Sequence, residues 1–542
     1  MSMITASAWV PRGAAAAFPT KYDMDETELA RISKLAKLQL ADAEDDLDDA
    51  RNGRIINPQD NDSSEEDDED RDVQMTLPQK DADDDLKEYD LDNYDTDSAP
   101  NRGETMAMFG NAPSLAYHQS NADDPYITMQ ENEEDDEERE DLQVLASDNM
   151  VIAAKVEDEV AHLEIYVYED EVDNLYVHHD IMLPAIPLCV EWLDLPVGKN
   201  TADMNSKGNF VAVGTFDPDI ELWDLDTVDS MYPNAVLGQG GEEAKPEAGE
   251  EKKKKRRKKS KKANDDYHVD AVLSLAANRQ HRNLLASSSA DKTVKLWDLT
   301  TQKCAKSYSR HTDKVCAVAW HPKEATVLLS GSYDRTVVAA DLRATDPKAP
   351  RWGVESDVET VAWDPHDPNY FYVTTESGVM HYHDLRSAPA SPETSKPVWT
   401  LQAHGESISS FDINPAIPGF LATGSTDKEA KLWNVQPTGP SMVVSRNLGV
   451  GKVFTTRFAP DSEVAFRLAV GGSKGNIQIW DTSTNAAVRN AFAHRVGPVN
   501  SEVKERLVGV EEDSSDSEDE GGVEPGAEGG EGETGWESME DD

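Results

Sequence analysis

His268, Ser287 and Asp291 are the three residue types a serine hydrolase combines: imidazole base, hydroxyl nucleophile and orienting carboxylate. The trio returns as His311, Ser330 and Asp334, and again as His404, Thr423 and Asp427. A nucleophilic site is built once, so recurrence at a fixed interval marks these groups as parts of a repeating structure. No HExxH or GxxxxGK[ST] motif is present, and Gly449-Val450-Gly451-Lys452 is only a fragment of a phosphate loop. His178-His179 beside Asp180 is a thin metal pattern that a solvated strand edge explains equally well. Cys189, Cys304 and Cys316 are too few and too scattered for a disulfide frame or a CxxC-type zinc site, which suits a reducing compartment. The reading is therefore a protein that is not an enzyme and uses no cofactor or metal.

Two other side-chain groups carry chemistry. The run Lys252, Lys253, Lys254, Lys255, Arg256, Arg257, Lys258, Lys259, Lys261 and Lys262 is broken only by Ser260 and flanked by Gly- and Glu-rich sequence. A flexible basic cluster of this kind is what an importin groove selects, and it can equally contact RNA phosphates. Ser63, Ser64, Ser515 and Ser517 each have an acidic residue three positions on, the pattern an acidophilic kinase accepts. Phosphorylation there would deepen an already negative charge.

That charge is large and unevenly placed. The chain has 542 residues and a formal net charge of −54. Residues 1–147 carry −28 and residues 498–542 carry −15, leaving −11 for everything between. A uniformly nucleic-acid-coated surface is excluded, because phosphates need compensating cations. Acidic runs such as Glu65 to Asp70 and Glu133 to Glu138 cannot bury enough apolar surface to offset ordering entropy, so both ends read as mostly disordered. Two local exceptions stand out. Leu29, Ile32, Leu35, Ala36 and Leu38 fit an amphipathic helix over 25–40, and Ser7 to Pro19, with Trp9 and Phe18, is apolar enough to be an anchor. No apolar run approaches the length of a membrane span, and the N-terminus is not a signal peptide; a soluble intracellular protein is expected.

The elements that position the recurring trio lie in 148–497. The strings ending at Leu225, Leu299, Val435 and Thr482 repeat a strand closing on Trp-Asp or Trp-Asn, with weaker copies ending at Leu342 and Leu385. Trp223, Trp297, Ala340, His383, Trp433 and Trp480 occupy the equivalent position. Their spacings are 74, 43, 43, 50 and 47, the first enlarged by an inserted loop over 238–266. Within each copy an alternating strand, a turn, a small-residue strand and a tight polar turn precede that Trp-Asp strand. A period in the forties built this way implies four-stranded propeller blades. Six copies follow Leu188, and Met150 to Val156, Ala161 to Tyr168 and Leu175 to Met182 supply three strands of a seventh. The expected fold is all-β, one seven-bladed propeller with acidic extensions at 1–147 and 498–542. Residues 498–510 are the candidate for the missing opening strand of the first blade, closing the ring.

This plan resembles the WD40 family. In that family a buried hydrogen-bond chain joins His, Ser or Thr, Asp and Trp, and His268, Ser287, Asp291, Trp297 and His404, Thr423, Asp427, Trp433 match all four positions. The copy with His311 lacks the Trp and the Trp480 copy lacks the turn Asp, so strand packing should hold those blades. Asp341-Leu342-Arg343 and Asp384-Leu385-Arg386 echo the doubled Trp-Asp-x-Arg ending of cullin-ring ligase receptors without its Trp; ordinary inter-blade packing is the other use of such arginines. The opening Thr5 to Gly13, the acidic stretch after it, Val167 to Asp194 and the basic insertion together resemble the WD40-repeat periodic tryptophan protein one family. That resemblance implies a nucleolar scaffold in large-subunit ribosome biogenesis and ribosomal RNA processing. Its implied partners are pre-60S assembly factors, ribosomal proteins and pre-rRNA; the basic run adds importin, the acidic tails would suit histones, and no membrane is expected.

Overall fold

The computed structural model describes residues 2–22, 28–29, 32–33, 139–158, 160–198, 207–238, 263–344, 349–492 and 506–509. Seven four-stranded antiparallel sheets form the blades of a propeller. Their inner strands are Ser2–Val10, Pro187–Leu193, Val272–Ala277, Val315–Trp320, Val358–Trp363, Ser410–Ile413 and Val453–Phe458. Each inner strand touches the next, and Ser2–Val10 touches Val453–Phe458, so the ring is closed. Closure leaves no sheet edge inside the molecule.

The alternating and small-residue strands of the repeat have a direct packing reason. A blade is buried on both faces by its neighbours, so second strands such as Val327–Ser332 and Phe420–Gly424 are almost wholly buried. At Gly331 a Cβ would lie 2.7 Å from Val358 Cγ1 of the next blade, and at Gly424 it would lie 2.4 Å from Val453 Cγ1. Valine opening one inner strand therefore requires a small residue in the preceding blade.

Ring closure corrects the sequence reading. The opening strand of the first blade is Ser2–Val10, paired antiparallel with Asn149–Glu157, and not a segment of 498–510. Arg506–Gly509 does join the ring, but as the fourth strand of the seventh blade, against Ile477–Asp481. The N-terminal boundary moves accordingly: residues 2–22 lie within the propeller unit, ahead of the expected start at 148. Ile4 and Trp9 bury with Val151, Tyr168 and Ile479, so the apolar opening segment is core. After a turn the chain runs onto the second blade, where Thr20–Lys21 pairs in parallel with Thr227–Val228. Ala16 N–H there donates to Asp226 Oδ1 at 3.0 Å.

Charged groups reinforce the junction between the seventh and first blades. Asp170 receives Arg467 at 2.7 Å and lies 4.0 Å from both Arg506 and Arg12, so three distant stretches of chain converge on one carboxylate. Asn149 Nδ2 donates to Asp461 at 2.9 Å across the same junction.

A second compact unit comprises residues 24–143 with 254–258; its described residues are 28–29, 32–33 and 139–143. The helix expected over 25–40 falls almost wholly outside the described residues. So do the basic run Lys252 to Lys262, the serines 63, 64, 515 and 517, and most of both acidic extensions.

Candidate binding surfaces of the propeller

In the third blade Trp297 Nε1 donates to Ser287 Oγ at 2.8 Å, which lies 2.7 Å from His268 Nε2. His268 Nδ1 is 2.9 Å from Asp291 Oδ2. The sixth blade repeats the chain: Trp433 to Thr423 at 2.9 Å, Thr423 to His404 at 2.8 Å, and His404 to Asp427 at 2.8 Å. Ser287 and Thr423 are completely buried, so no substrate reaches either hydroxyl. Burial lowers the pKa of His268 and keeps the ring neutral, with Nδ1–H toward the carboxylate. Burial alone would raise Asp291, but hydrogen bonds from His268 and Thr293 outweigh it and bring its pKa down to about 2. These sets join the turn before the inner strand to the middle of the blade and serve structure.

The incomplete copies differ from the expectation of packing alone. His311 still reaches Asp334 at 3.1 Å and Ser330 at 2.9 Å, although Ala340 replaces the Trp. In the second blade Trp223 Nε1 donates to Glu221 Oε2 at 3.1 Å, because Val213 stands where a hydroxyl would be. Burial pushes the Glu221 pKa up to about 7, opposed by that hydrogen bond. In the first blade the Tyr166 hydroxyl donates to Glu164, which also pairs with Lys155 at 2.8 Å. Burial opposes ionisation of Glu164, yet donors from His162, Lys155 and Tyr166 bring its pKa down to about 2. Sequence matching missed these two glutamates; the shared signal is Glu two residues before the aromatic, as in Glu164-Ile165-Tyr166 and Glu221-Leu222-Trp223.

The paired DLR endings fold back on themselves. Arg343 bonds its own Asp341 at 2.9 Å, and Arg386 bonds Asp384 at 2.8 Å and the Tyr370 hydroxyl at 2.9 Å. Both arginines are exposed, so their contacts are within the blade and not between blades. Gly471-Gly472-Ser473-Lys474-Gly475 spells the letters G-x-S-x-G, but it joins two strands, Arg467–Gly472 and Ile477–Asp481, where a nucleophile elbow needs a strand and a helix. Its Ser473 Oγ accepts the Lys452 N–H at 3.0 Å. His178 Nδ1 lies 2.8 Å from His179 Nδ1 at a bulge in the outer strand of the first blade, and burial lowers the His179 pKa to about 4.

The surface that all seven blades build together is one mouth of the central channel, a cavity of about 590 Å³. Trp9, Trp192, Trp320 and Trp363 stand at equivalent ends of four inner strands. Trp9 Nε1 donates to Arg457 O at 2.9 Å, Trp320 to Ala276 O at 2.9 Å, and Trp363 to Ala319 O at 3.1 Å. Each of these indoles thus ties its blade to the preceding one. Trp192 bonds Asn209 within its own blade and carries the Arg279 guanidinium of the next blade 5.4 Å from its ring centre. Arg279 pairs with Glu191 at 2.8 Å, while Asp412 accepts the Phe458 N–H at 2.7 Å beside Arg457. Burial raises the Asp412 pKa. The mouth offers aromatic edges and fixed charge of both signs. These tryptophans were not singled out as a set from the sequence; the signal that could have found them is the recurring Trp-Val-Pro, Trp-Leu-Asp, Trp-His-Pro and Trp-Asp-Pro steps, a second periodic Trp position besides the Trp-Asp strand.

Seven closed blades with recurring His–Ser/Thr–Asp–Trp chains define a WD40-repeat β-propeller protein, and the WD domain, G-beta repeat family matches residues 263–298, 302–338 and 395–434. A WD repeat-containing protein of Schizosaccharomyces pombe is 50% identical, covering 96% of this chain and 97% of that protein. Periodic tryptophan protein 1 of Saccharomyces cerevisiae is 38% identical over 93% and 92% of the two chains. Its Drosophila melanogaster homologue is 31% identical over 91% and 96%. The chain belongs to the periodic tryptophan protein 1 family. Among the described residues no helix is long and apolar enough to cross a membrane.

Proposed function

We propose that the chain is a non-catalytic nucleolar scaffold in large ribosomal subunit biogenesis and pre-rRNA processing. The observation that carries this reading is the charge plan. Ten basic residues between 252 and 262 sit in a loop between the second and third blades, on a chain whose two ends hold −43 of its −54. Basic loops contact rRNA phosphates and importin, while acidic extensions hold basic ribosomal proteins or shield them from RNA. A ring whose recurring His–Ser/Thr–Asp sets are committed to its own hydrogen bonds supports binding in place of chemistry. Pre-60S factors, ribosomal proteins, pre-rRNA and importin are the proposed partners. Family membership supports the reading. Native purification of the tagged chain tests it: co-isolation of pre-rRNA with large-subunit factors is expected. Histones without rRNA would favour a chromatin role, which the acidic ends also suit, and a cullin adaptor would favour a ligase receptor. Absence of pre-rRNA sinks the proposal.

A further inference from the structure

The outer wall of the propeller contains a groove of about 810 Å³ between the third and fourth blades. Its origin is a mismatch in strand length. The outermost strand of the third blade, Lys303–Tyr308, has six residues, whereas its counterpart in the fourth blade, Arg351–Gly353, has three. The wall is completed by Ala388 to Pro392, a loop seated so closely that a Cβ at Gly353 would lie 2.5 Å from Pro392 O. Pro350, Pro389 and Pro392 fix the backbone of that wall and remove N–H donors from it.

The charged residues lining the groove are Arg310 and Arg351, the latter 3.6 Å from Asp334, on a molecule whose formal net charge is −54. Lys306 and Arg310 lie two residues either side of Tyr308, on the same side of the chain. Their charged ends approach the Tyr308 ring centre to 5.0 and 5.2 Å. Arg310 has no carboxylate partner among the described residues, and its Nη1 is buried without a hydrogen bond. Arg351 holds the floor, donating to Thr336 Oγ1 at 3.2 Å and to the Arg310 carbonyl. A half-buried guanidinium with an unused donor is a strong acceptor-seeking group, and its planar fork matches a carboxylate.

We propose that this groove docks an extended acidic segment of a partner protein, with a carboxylate on Arg310 inside it, a second on Lys306 beside the Tyr308 ring, and backbone along the proline wall. Single-stranded RNA is the competing anion, but it gains affinity by stacking bases on open aromatic faces. The one aromatic ring here, Tyr308, is already covered by two cations. The proposal is independent of the nucleolar reading, since it follows from this wall alone.

The test uses the full chain with its basic run, Lys252 to Lys262, changed to glutamine so that only the groove is measured. The probes are fluorescein-labelled decaglutamate and decauridylate, compared by anisotropy at low salt. Decaglutamate is expected to bind, and Lys306→Glu with Arg310→Glu should weaken it by at least about tenfold, the loss of one or two charge-assisted contacts. Lys306→Arg, which keeps the charge and leaves the Arg310 fork in place, should retain binding. A benzophenone on Ser309→Cys should cross-link the peptide, which keeps the proposal testable if charge reversal unfolds the chain. Unchanged affinity after reversal in a folded variant, no cross-link at position 309, or tighter reversal-sensitive binding of decauridylate would each overturn it.

Discussion

At position 383 a histidine stands where Trp297 and Trp433 donate to a second-strand hydroxyl, and Val373, opposite His381, stands where that Ser or Thr would be. The two ring nitrogens of His383 are buried without partners among the described residues, and the ring stacks on Phe371 at 5.3 Å. Burial, and then the neighbouring His381, lower its pKa to about 3. His381 itself faces Glu355 at 2.7 Å, and burial depresses its pKa too. The sign of the pH effect follows. Unfolded His383 takes up a proton below its ordinary value of 6.5, while the folded ring stays neutral until about 3. Its contribution is therefore complete above pH 6.5 and lost progressively as the pH falls. His383→Phe removes that acid penalty and also a buried polar group costing about 1–3 kcal/mol. Thermal melts of the variant should exceed the parent at pH 7.5 and exceed it by more at pH 5.5. An equal gap at both values would mean that the ring is not held neutral by burial. The complete sets were legible because their spacing repeats; the substitute acceptors Glu164 and Glu221 were not, because they occupy another position of the blade.

Among the elements, the strand Ser2–Val10 shows where reading by sequence proximity fails. Its burial is not a simple alternation: a bulge between Ile4 and Ala6 separates buried Ile4 from buried Ser7 and Trp9, and Ser7 Oγ lies 2.7 Å from Thr455 Oγ1. Its partner Asn149–Glu157 lies beyond the long acidic stretch. Periodicity identifies strands, but pairing between distant segments is settled by which edge remains uncovered. Six blades are contiguous and could be counted; the seventh needed an edge partner that neither spacing nor charge located. The same strand carries a prediction. Trp9→Ala removes a buried indole and its bond to Arg457 O, which should cost about 3–5 kcal/mol by analogy with buried aromatic truncations. A chain lacking residues 1–22 should melt at markedly lower temperature. A synthetic peptide of Ser2 to Tyr22 should raise that melting point in a concentration-dependent way, because a ligand that binds only the folded ring stabilises by mass action. A truncated chain that melts like the full one would show that the strand is dispensable.

At the scale of the whole molecule, one segment carries a charge opposite in sign to the total, and its place in the ring decides what its removal does. The run from Lys252 to Lys262 falls, in sequence, between Gly238 of the second blade and Ala263 before the third. The stretch after Ala263 is fastened within the third blade, where Asn264 Oδ1 accepts the N–H groups of Asp266 and Tyr267 at 2.9 and 2.8 Å, and the buried Lys295 ammonium donates to Asn264 O. The blades on either side are thus held by hydrogen bonds and packing of their own described residues. Because long surface insertions alter loop-closure entropy only slowly, deleting 252–262 should leave the thermal melt nearly unchanged. It would make the formal net charge more negative by ten, further from anything an importin groove or RNA selects. The expected outcome is a folded chain that no longer accumulates in the nucleus, measured by imaging a fluorescent fusion beside the intact one. Restoring a basic cluster of different sequence at the same position should restore accumulation, since the recognition is of charge in an accessible loop. Nuclear accumulation that survives the deletion would refute the import role of this run.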